Sequence, residues 1–261
     1  MRPARAQSPP AAADAAGQIG QVATIQGSAT ATRAKATTPV ALRVADPIFK
    51  NDTLATGANS TLGVTFDDES TFNLSADSRI VVDEFVYESG GQKNAASVTV
   101  ATGTAAFVAG LVAKTGDMKI KTPVATMGIR GTTGVIDVPQ AGAAGAGEPR
   151  VKLYADSDGH VGRIEVFGLQ GATVGSLTLA ASAFTLRLGA GGRLEAVPYP
   201  IPPEEAARDR GVLRRLFASH SIGRRMTRDR QRSRSQHREQ NKRPSGHGPS
   251  GHNGGRPRRQ R

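Results

Sequence analysis

Residues 61–87 read TLGVTFDDESTFNLSADSRIVVDEFVY, and their spacing decides the fold class. Leu62, Val64 and Phe66 alternate with Gly63 and Thr65, and Asp67-Asp68-Glu69-Ser70 then interrupts the run. Phe72 and Leu74 resume it, and Ile80 and Val82 lead on to Phe85 and Tyr87. Apolar residues two positions apart lie on one side of a pleated strand, so this stretch predicts consecutive half-buried strands joined by polar turns.

The same period continues on either side. Val98 and Val100, Met118 and Ile120, Ile164 and Val166, Leu177 and Leu179, and Phe184, Leu186 and Leu188 repeat it, with Gly, Asp, Asn or Ser between the runs. Thr and Val suit a pleated surface. The chain is therefore expected to be all-β from about Gln18 to Val197. Strands recurring every 8–12 residues fit a sandwich, a barrel or a β-solenoid. Short strands and frequent glycine favour a rolled sandwich or solenoid-like stack. With no Trp, 3 Tyr and 8 Phe, its core must be built mainly from aliphatic side chains. Such a stack buries small residues between close layers.

Composition divides the rest. Residues 1–16 are Pro/Ala-rich without periodicity and read as a disordered linker or the remnant of a signal peptide. Ala4-Arg5-Ala6 before Gln7 has small residues where a signal peptidase cuts, so the true start is expected upstream. Residues 139–150, including PQAGAAGAGEP, read as a Gly/Ala linker loop. The block 151–197 is too short to bury much alone and is expected to pack on residues 17–138. Pro198–Pro203 is a stiff stretch. A short helix over residues 204–219 follows, with Glu204 and Glu205 in its first turn and arginines later, as the helix dipole favours. Val212, Leu213, Leu216 and Phe217 form one stripe on it, for docking on the β domain or on a partner.

The net charge of +12 is uneven. Up to Ala207 there are 17 Lys/Arg against 19 Asp/Glu; from Arg208 onward there are 17 against 3. The β region is near neutral, and residues 220–261 read as a disordered basic tail. Arg214, Arg215, Arg224, Arg225, Arg228, Arg230, Arg232 and Arg234 are its candidate polyanion-binding residues, acting by counterion release. Without an aromatic beyond Phe217, base stacking is not available to them. The absence of Cys excludes disulfides and thiolate chemistry. No run approaches the roughly 18 apolar residues of a membrane span.

The segment 117–138, DMKIKTPVATMGIRGTTGVIDV, resembles the signature of the FecR domain family. Its elements are Thr122-Pro123, Val124-Ala125, Arg130-Gly131-Thr132 and Val135-Ile136. Leu54-Ala55-Thr56-Gly57 resembles the family's strand entry. Asp68-Glu69-Ser70 stands where the family usually has Asp-Gly-Ser. The resemblance covers about Gly17 to Val138. It implies a β domain outside the cytoplasmic membrane that binds a protein or peptide in envelope signalling. The family's founding type also has an anti-sigma region and a transmembrane helix, which this sequence lacks. From the residues themselves, Pro123 belongs at a strand start or edge, and Gly128 and Gly131 permit tight turns around Ile129. Arg130 and Thr132 are expected to clamp the turn.

No catalytic constellation is legible. His160 is the single His before the helix and sits in the turn Asp156-Ser157-Asp158-Gly159, a poor place for a base that must be held rigidly. Asp156-x-Asp158-Gly159 opens like a calcium loop but lacks the late Glu at its required spacing, so a hairpin turn is expected. Asp67-Asp68-Glu69 reads as a solvated turn. The sequence therefore predicts a non-catalytic module without cofactor or metal. Polyanion or nucleic-acid binding through the tail, or a structural role in the envelope, are the alternatives.

Overall fold

The computed structural model describes residues 17–115, 117–140, 142 and 147–242 of the 261. Residues up to Thr227 form one compact unit, and those from Arg228 on form a second, described by itself. The expectations for residues 1–16 and 243–261 fall outside the described residues, as does most of the Gly/Ala loop.

The strands, in chain order, are β1 (Gln18–Gln26), β2 (Ala29–Thr32), β3 (Val40–Ala41), β4 (Pro47–Phe49), β5 (Thr53–Thr56), β6 (Thr61–Phe66), β7 (Thr71–Leu74) and β8 (Arg79–Val86). Then come β9 (Ala95–Val108), the single turn α1 (Val112–Thr115), β10 (Asp117–Lys121), β11 (Ala125–Arg130), β12 (Thr133–Val138) and β13 (Arg150–Tyr154). The series closes with β14 (Arg163–Gly168), β15 (Thr173–Leu177), β16 (Ser182–Leu188), β17 (Leu194–Pro198) and the helix α2 (Pro203–Lys242).

The fold is all-β with a C-terminal helix, a rolled sandwich in which the chain passes repeatedly between two sheets. One sheet runs β4-β1-β6-β7-β9-β12-β13-β16-β17. The other runs β3-β2-β5-β8-β9-β10-β11-β14-β15. New strands add beside older ones almost in sequence order, which is the solenoid-like element of the expectation. Pairing is antiparallel except between β9 and β10. That pair is parallel because the segment containing α1 carries the chain back to the start of β9.

Strand β9 belongs to both sheets. Its first half pairs with β8 and β10, and its second half with β7 and β12. The change of sheet falls at Gly103, whose φ is +83°. Alternation along the second half then sorts side chains between two cores. Ala105 and Phe107 face the main core between the sheets, while Ala106 and Val108 face outward. In the main core Phe66 meets Phe72 edge-on at 5.9 Å and stacks on Phe85 at 5.4 Å, and aliphatic residues from both sheets fill the rest.

Helix α2, as far as Thr227, covers the outer face of the first sheet. Val212 and Leu216 are buried against Ala106, Val108 and Val135, with Leu213 and Phe217 partly buried beside them. The stripe thus docks in cis, and each of Val212 and Leu216 contributes about 1.5–3 kcal/mol.

The helix is longer than the expected 204–219, and the reading of residues 220–242 as disordered is corrected. Two physical reasons account for the extension. The buried line continues past Leu216 through Ser219, Gly223 and Thr227. These small residues let the helix backbone press onto β6, where a Cβ at Gly223 would overlap Thr65 Oγ1. In addition, no Gly or Pro interrupts 224–243, where Arg and Gln are good helix formers, before Pro244. From Arg228 to Lys242 the second unit is helical and polar, with Arg228 and Arg232 exposed.

Candidate functional site

The most concentrated chemistry lies where the start of α2 meets β12 and β13. Val151 and Leu153 point into the main core, so Arg150, Lys152 and Tyr154 point outward under the helix. Lys152 is 1% exposed. Its ammonium lies 2.8 Å from Asp137 Oδ2, 2.8 Å from Glu205 Oε1 and 2.9 Å from Asp209 Oδ2. Tyr154 donates its hydroxyl proton to Asp209 Oδ2 at 2.5 Å, and Tyr199 donates to Glu205 Oε2 at 2.6 Å. Arg150 pairs with Glu205 at 3.3 Å and stacks over the Tyr199 ring at 4.4 Å. Thr104 donates to Asp137 Oδ1 at 2.7 Å.

A buried charge survives only when paired and hydrogen-bonded, and here one ammonium answers three carboxylates. Burial opposes the charge of Lys152, but the adjacent Asp137, Asp209 and Glu205 outweigh it and raise its pKa. Burial likewise opposes the charge of Glu205, while Lys152, Tyr199 and Arg150 together hold its pKa below the usual carboxylate value. Tyr154 is pushed up by burial and by Asp209, so it stays a donor.

Farther along α2, polar contacts replace the ionic ones. Ser219 Oγ lies 2.6 Å from Thr24 Oγ1, and His220 Nδ1 lies 3.0 Å from Thr71 Oγ1. Burial and the nearby Arg224 hold the pKa of His220 below the usual value. His220 is thus a second ordered histidine that the expected tail had left out. Arg224 pairs with Glu69 Oε2 at 2.6 Å. Glu69 has φ +66°, a conformation that favours glycine. It occupies the position where the resemblance leads one to expect glycine, and its side chain anchors α2.

Acidification should therefore loosen this seam. His220, depressed in the fold, leaves the unfolded chain the better proton binder once pH falls below about 6.5. Glu205, also depressed, contributes stability that is present above its unfolded value and lost as pH falls through its folded value. Both signs agree, so hydrogen-exchange protection factors in residues 205–227, corrected for the intrinsic pH dependence of exchange, should fall as pH drops below about 6.5. Amides of β9–β12 should stay protected longer. Uniform loss across both would contradict this.

The signature residues serve the sheet crossings. Thr122 N–H donates to Ala125 O at 2.8 Å, and Ala125 N–H to Thr122 Oγ1 at 3.1 Å. That closes the β10–β11 turn around Pro123. Gly131, φ +50°, and Thr132 carry the chain from β11 to β12, and Thr132 Oγ1 donates to Tyr154 O at 3.3 Å. Arg130 ends β11 with its side chain exposed.

Gly128 corrects an expectation. It makes no turn but lies within β11, against the Phe167 ring. The Asp67–Glu69 turn is corrected too. Asp68 is fully buried, accepting from Ser70 N–H at 2.9 Å, Ser70 Oγ–H at 2.6 Å and Val112 N–H at 3.2 Å. The Asp156–His160 turn, expected to be a hairpin, is closed by Asp156 N–H to His160 O at 2.8 Å but links β13 of the first sheet to β14 of the second, each of which pairs with other strands.

Of the basic candidates, Arg214, Arg215 and Arg225 are exposed on α2 and Arg224 is engaged by Glu69. Arg228, Arg230, Arg232 and Arg234 lie in the helical second unit. The Lys152 cluster escaped the sequence reading. Its one legible signal was a lysine between Val151 and Leu153, on a strand face that needed a cover.

Residues 52–152 match the family model described as FecR protein. The chain carries a FecR domain. The match opens at Asp52, just before β5, and closes at Lys152, so the FecR domain supplies the cluster's ammonium and Asp137, while α2 supplies Glu205 and Asp209. It begins and ends later than the resemblance over residues 17–138. FecR is a regulatory, envelope-signalling family.

Two crystal structures, at 2.50 and 1.65 Å resolution, of a protein described as a "putative anti-sigma factor" from Parabacteroides distasonis ATCC 8503 are similar at 12% identity and a TM-score of 0.39. The similarity covers 56% of this chain and 59% of theirs. No curated protein matches the sequence. Among the described residues, no helix is long and apolar enough to cross a membrane.

Proposed function

We propose that this chain is a non-catalytic, extracytoplasmic FecR-type module that binds an extended segment of a partner protein in envelope signalling. The observation that carries the reading is the FecR match over residues 52–152. The mode of binding is argued from β15, at the margin of the second sheet. Among the described residues β15 pairs only with β14. Its sequence, Thr173–Leu177, contains neither proline nor charge, the two devices that usually blunt an open edge. Leu169 and Leu179, 70% and 73% exposed, flank it. An extended peptide adding there gains main-chain hydrogen bonds from the edge and apolar contact from the leucines. The non-catalytic part of the reading is supported by His160, which is exposed on the turn between β13 and β14.

The test uses the immobilised full chain and detergent-solubilised envelope proteins from the source cell. Thr173→Lys with Ser176→Lys places two cations along the edge at exposed positions. A partner saturably retained by the unaltered chain should be lost by about tenfold or more, with Tm unchanged, since surface changes usually stay within about 0.5 kcal/mol. Equal retention by both proteins would place the contact elsewhere.

A further inference from the structure

We propose that the first half of α2 is a docking surface for an anionic lipid bilayer. Four arginines, Arg208, Arg210, Arg214 and Arg215, stand exposed within eight residues of the helix. The carboxylates nearest in sequence on its docked side, Glu205 and Asp209, are turned under the helix and taken by Lys152, Arg150 and the two tyrosines. Among the described residues none of the four arginines pairs with a carboxylate. The sheet thus absorbs two of the three carboxylates in this half of the helix and leaves Glu204 exposed with the four arginines.

The second observation separates a lipid from other polyanions. Arg210 and Arg214 rim a groove of about 510 Å³ whose other described lining is Ala207, Leu213 and Phe217. Arg208 and Arg215 rim a cleft of about 570 Å³ on the other flank, which opens onto the Lys152 cluster with Asp137, Glu205 and Asp209 and so carries no part of the lipid argument. An apolar groove beside paired guanidiniums suits a molecule with a phosphate head and a hydrocarbon tail. A nucleic-acid backbone would use the guanidiniums and leave the groove unfilled, and no exposed aromatic is present on this stretch to stack on a base. The surface does not insert as an amphipathic helix would, because Val212 and Leu216 are already docked on the sheet; it offers charge and the one groove lined by Leu213 and Phe217.

The full chain should sediment with vesicles of phosphatidylcholine containing about 30% phosphatidylglycerol at low salt, and much less with phosphatidylcholine alone. Arg210→Gln with Arg214→Gln should weaken that partition about 25-fold, at roughly fivefold per arginine, while Tm is kept. Arg228→Gln with Arg232→Gln is the control for the second unit and should cost less. Equal partition into neutral vesicles, a loss confined to the control variant, or short duplex DNA bound as tightly and lost with the same Arg210/Arg214 pair would each overturn the proposal.

Discussion

Lys152→Ala is expected to destabilise the protein by about 3–5 kcal/mol and to lower Tm by roughly 10 °C. The ammonium is the shared partner of Asp137, Glu205 and Asp209, and its removal leaves three carboxylates around one vacated position. Arg150 reaches Glu205 but is not paired with Asp209 or Asp137. Lys152→Met keeps most of the stem and removes only the charge, so it should lose nearly as much. If the methionine variant keeps the parental Tm while the alanine variant does not, the role of Lys152 is packing. The damage should be local at first. The helix amide signals of residues 205–219 should lose hydrogen-exchange protection before those of β9–β12, because the severed ties are those between helix and sheet.

Gly103→Val is expected to cost more than about 4 kcal/mol and to yield little soluble protein. Two effects add. A β-branched side chain at φ +83° is strongly disfavoured. A Cβ there would also lie 2.5 Å from Ser78 Cα, a backbone atom. Ser78 cannot retreat, since its N–H donates to Thr56 Oγ1 at 3.0 Å and its own Oγ accepts from Thr104 N–H at 3.0 Å. Because β9 passes from one sheet to the other at this residue, the strain falls on the strand that joins both halves of the sandwich. Gly103→Ala, measured by urea denaturation, should already lose a few kcal/mol. A near-neutral alanine variant would show that the crossing can shift.

The apolar faces of β6 to β10 and of β14 were legible in the sequence, because period two is a local property, whereas Leu179 and Leu188, read as continuing it, are exposed. Leu62, Val64, Phe66, Phe72 and Leu74 all point into the main core. The start of α2 and its cis-docked stripe were legible for a similar reason. The turn Asp68-Glu69-Ser70 was not. Its charges suggested solvent, yet Asp68 is buried as an acceptor for Ser70 and Val112, the latter 44 positions away. Gly128 misled in the opposite sense, since glycine signals a turn locally but here lies flat against Phe167 from β14.

Charge shows the same division. The sequence by itself determined the amount of positive charge after Arg208, the all-β class and the family signature, since each is a matter of residue type and short spacing. Only the tertiary structure decided which charges remain available. It placed Glu205 and Asp209 on Lys152, and Arg224 on Glu69, and left Arg208, Arg210, Arg214 and Arg215 exposed. It also turned the first part of the expected tail into a helix. The physical reason is the outer face of one sheet. That face carries Gly63, Thr65, Ala106, Val135 and Lys152, residues too small or too buried to face water. A helix with a matching line of Val212, Leu216, Ser219 and Gly223 is held there by contacts about 50 to 195 positions away in sequence, beyond the reach of any local pattern.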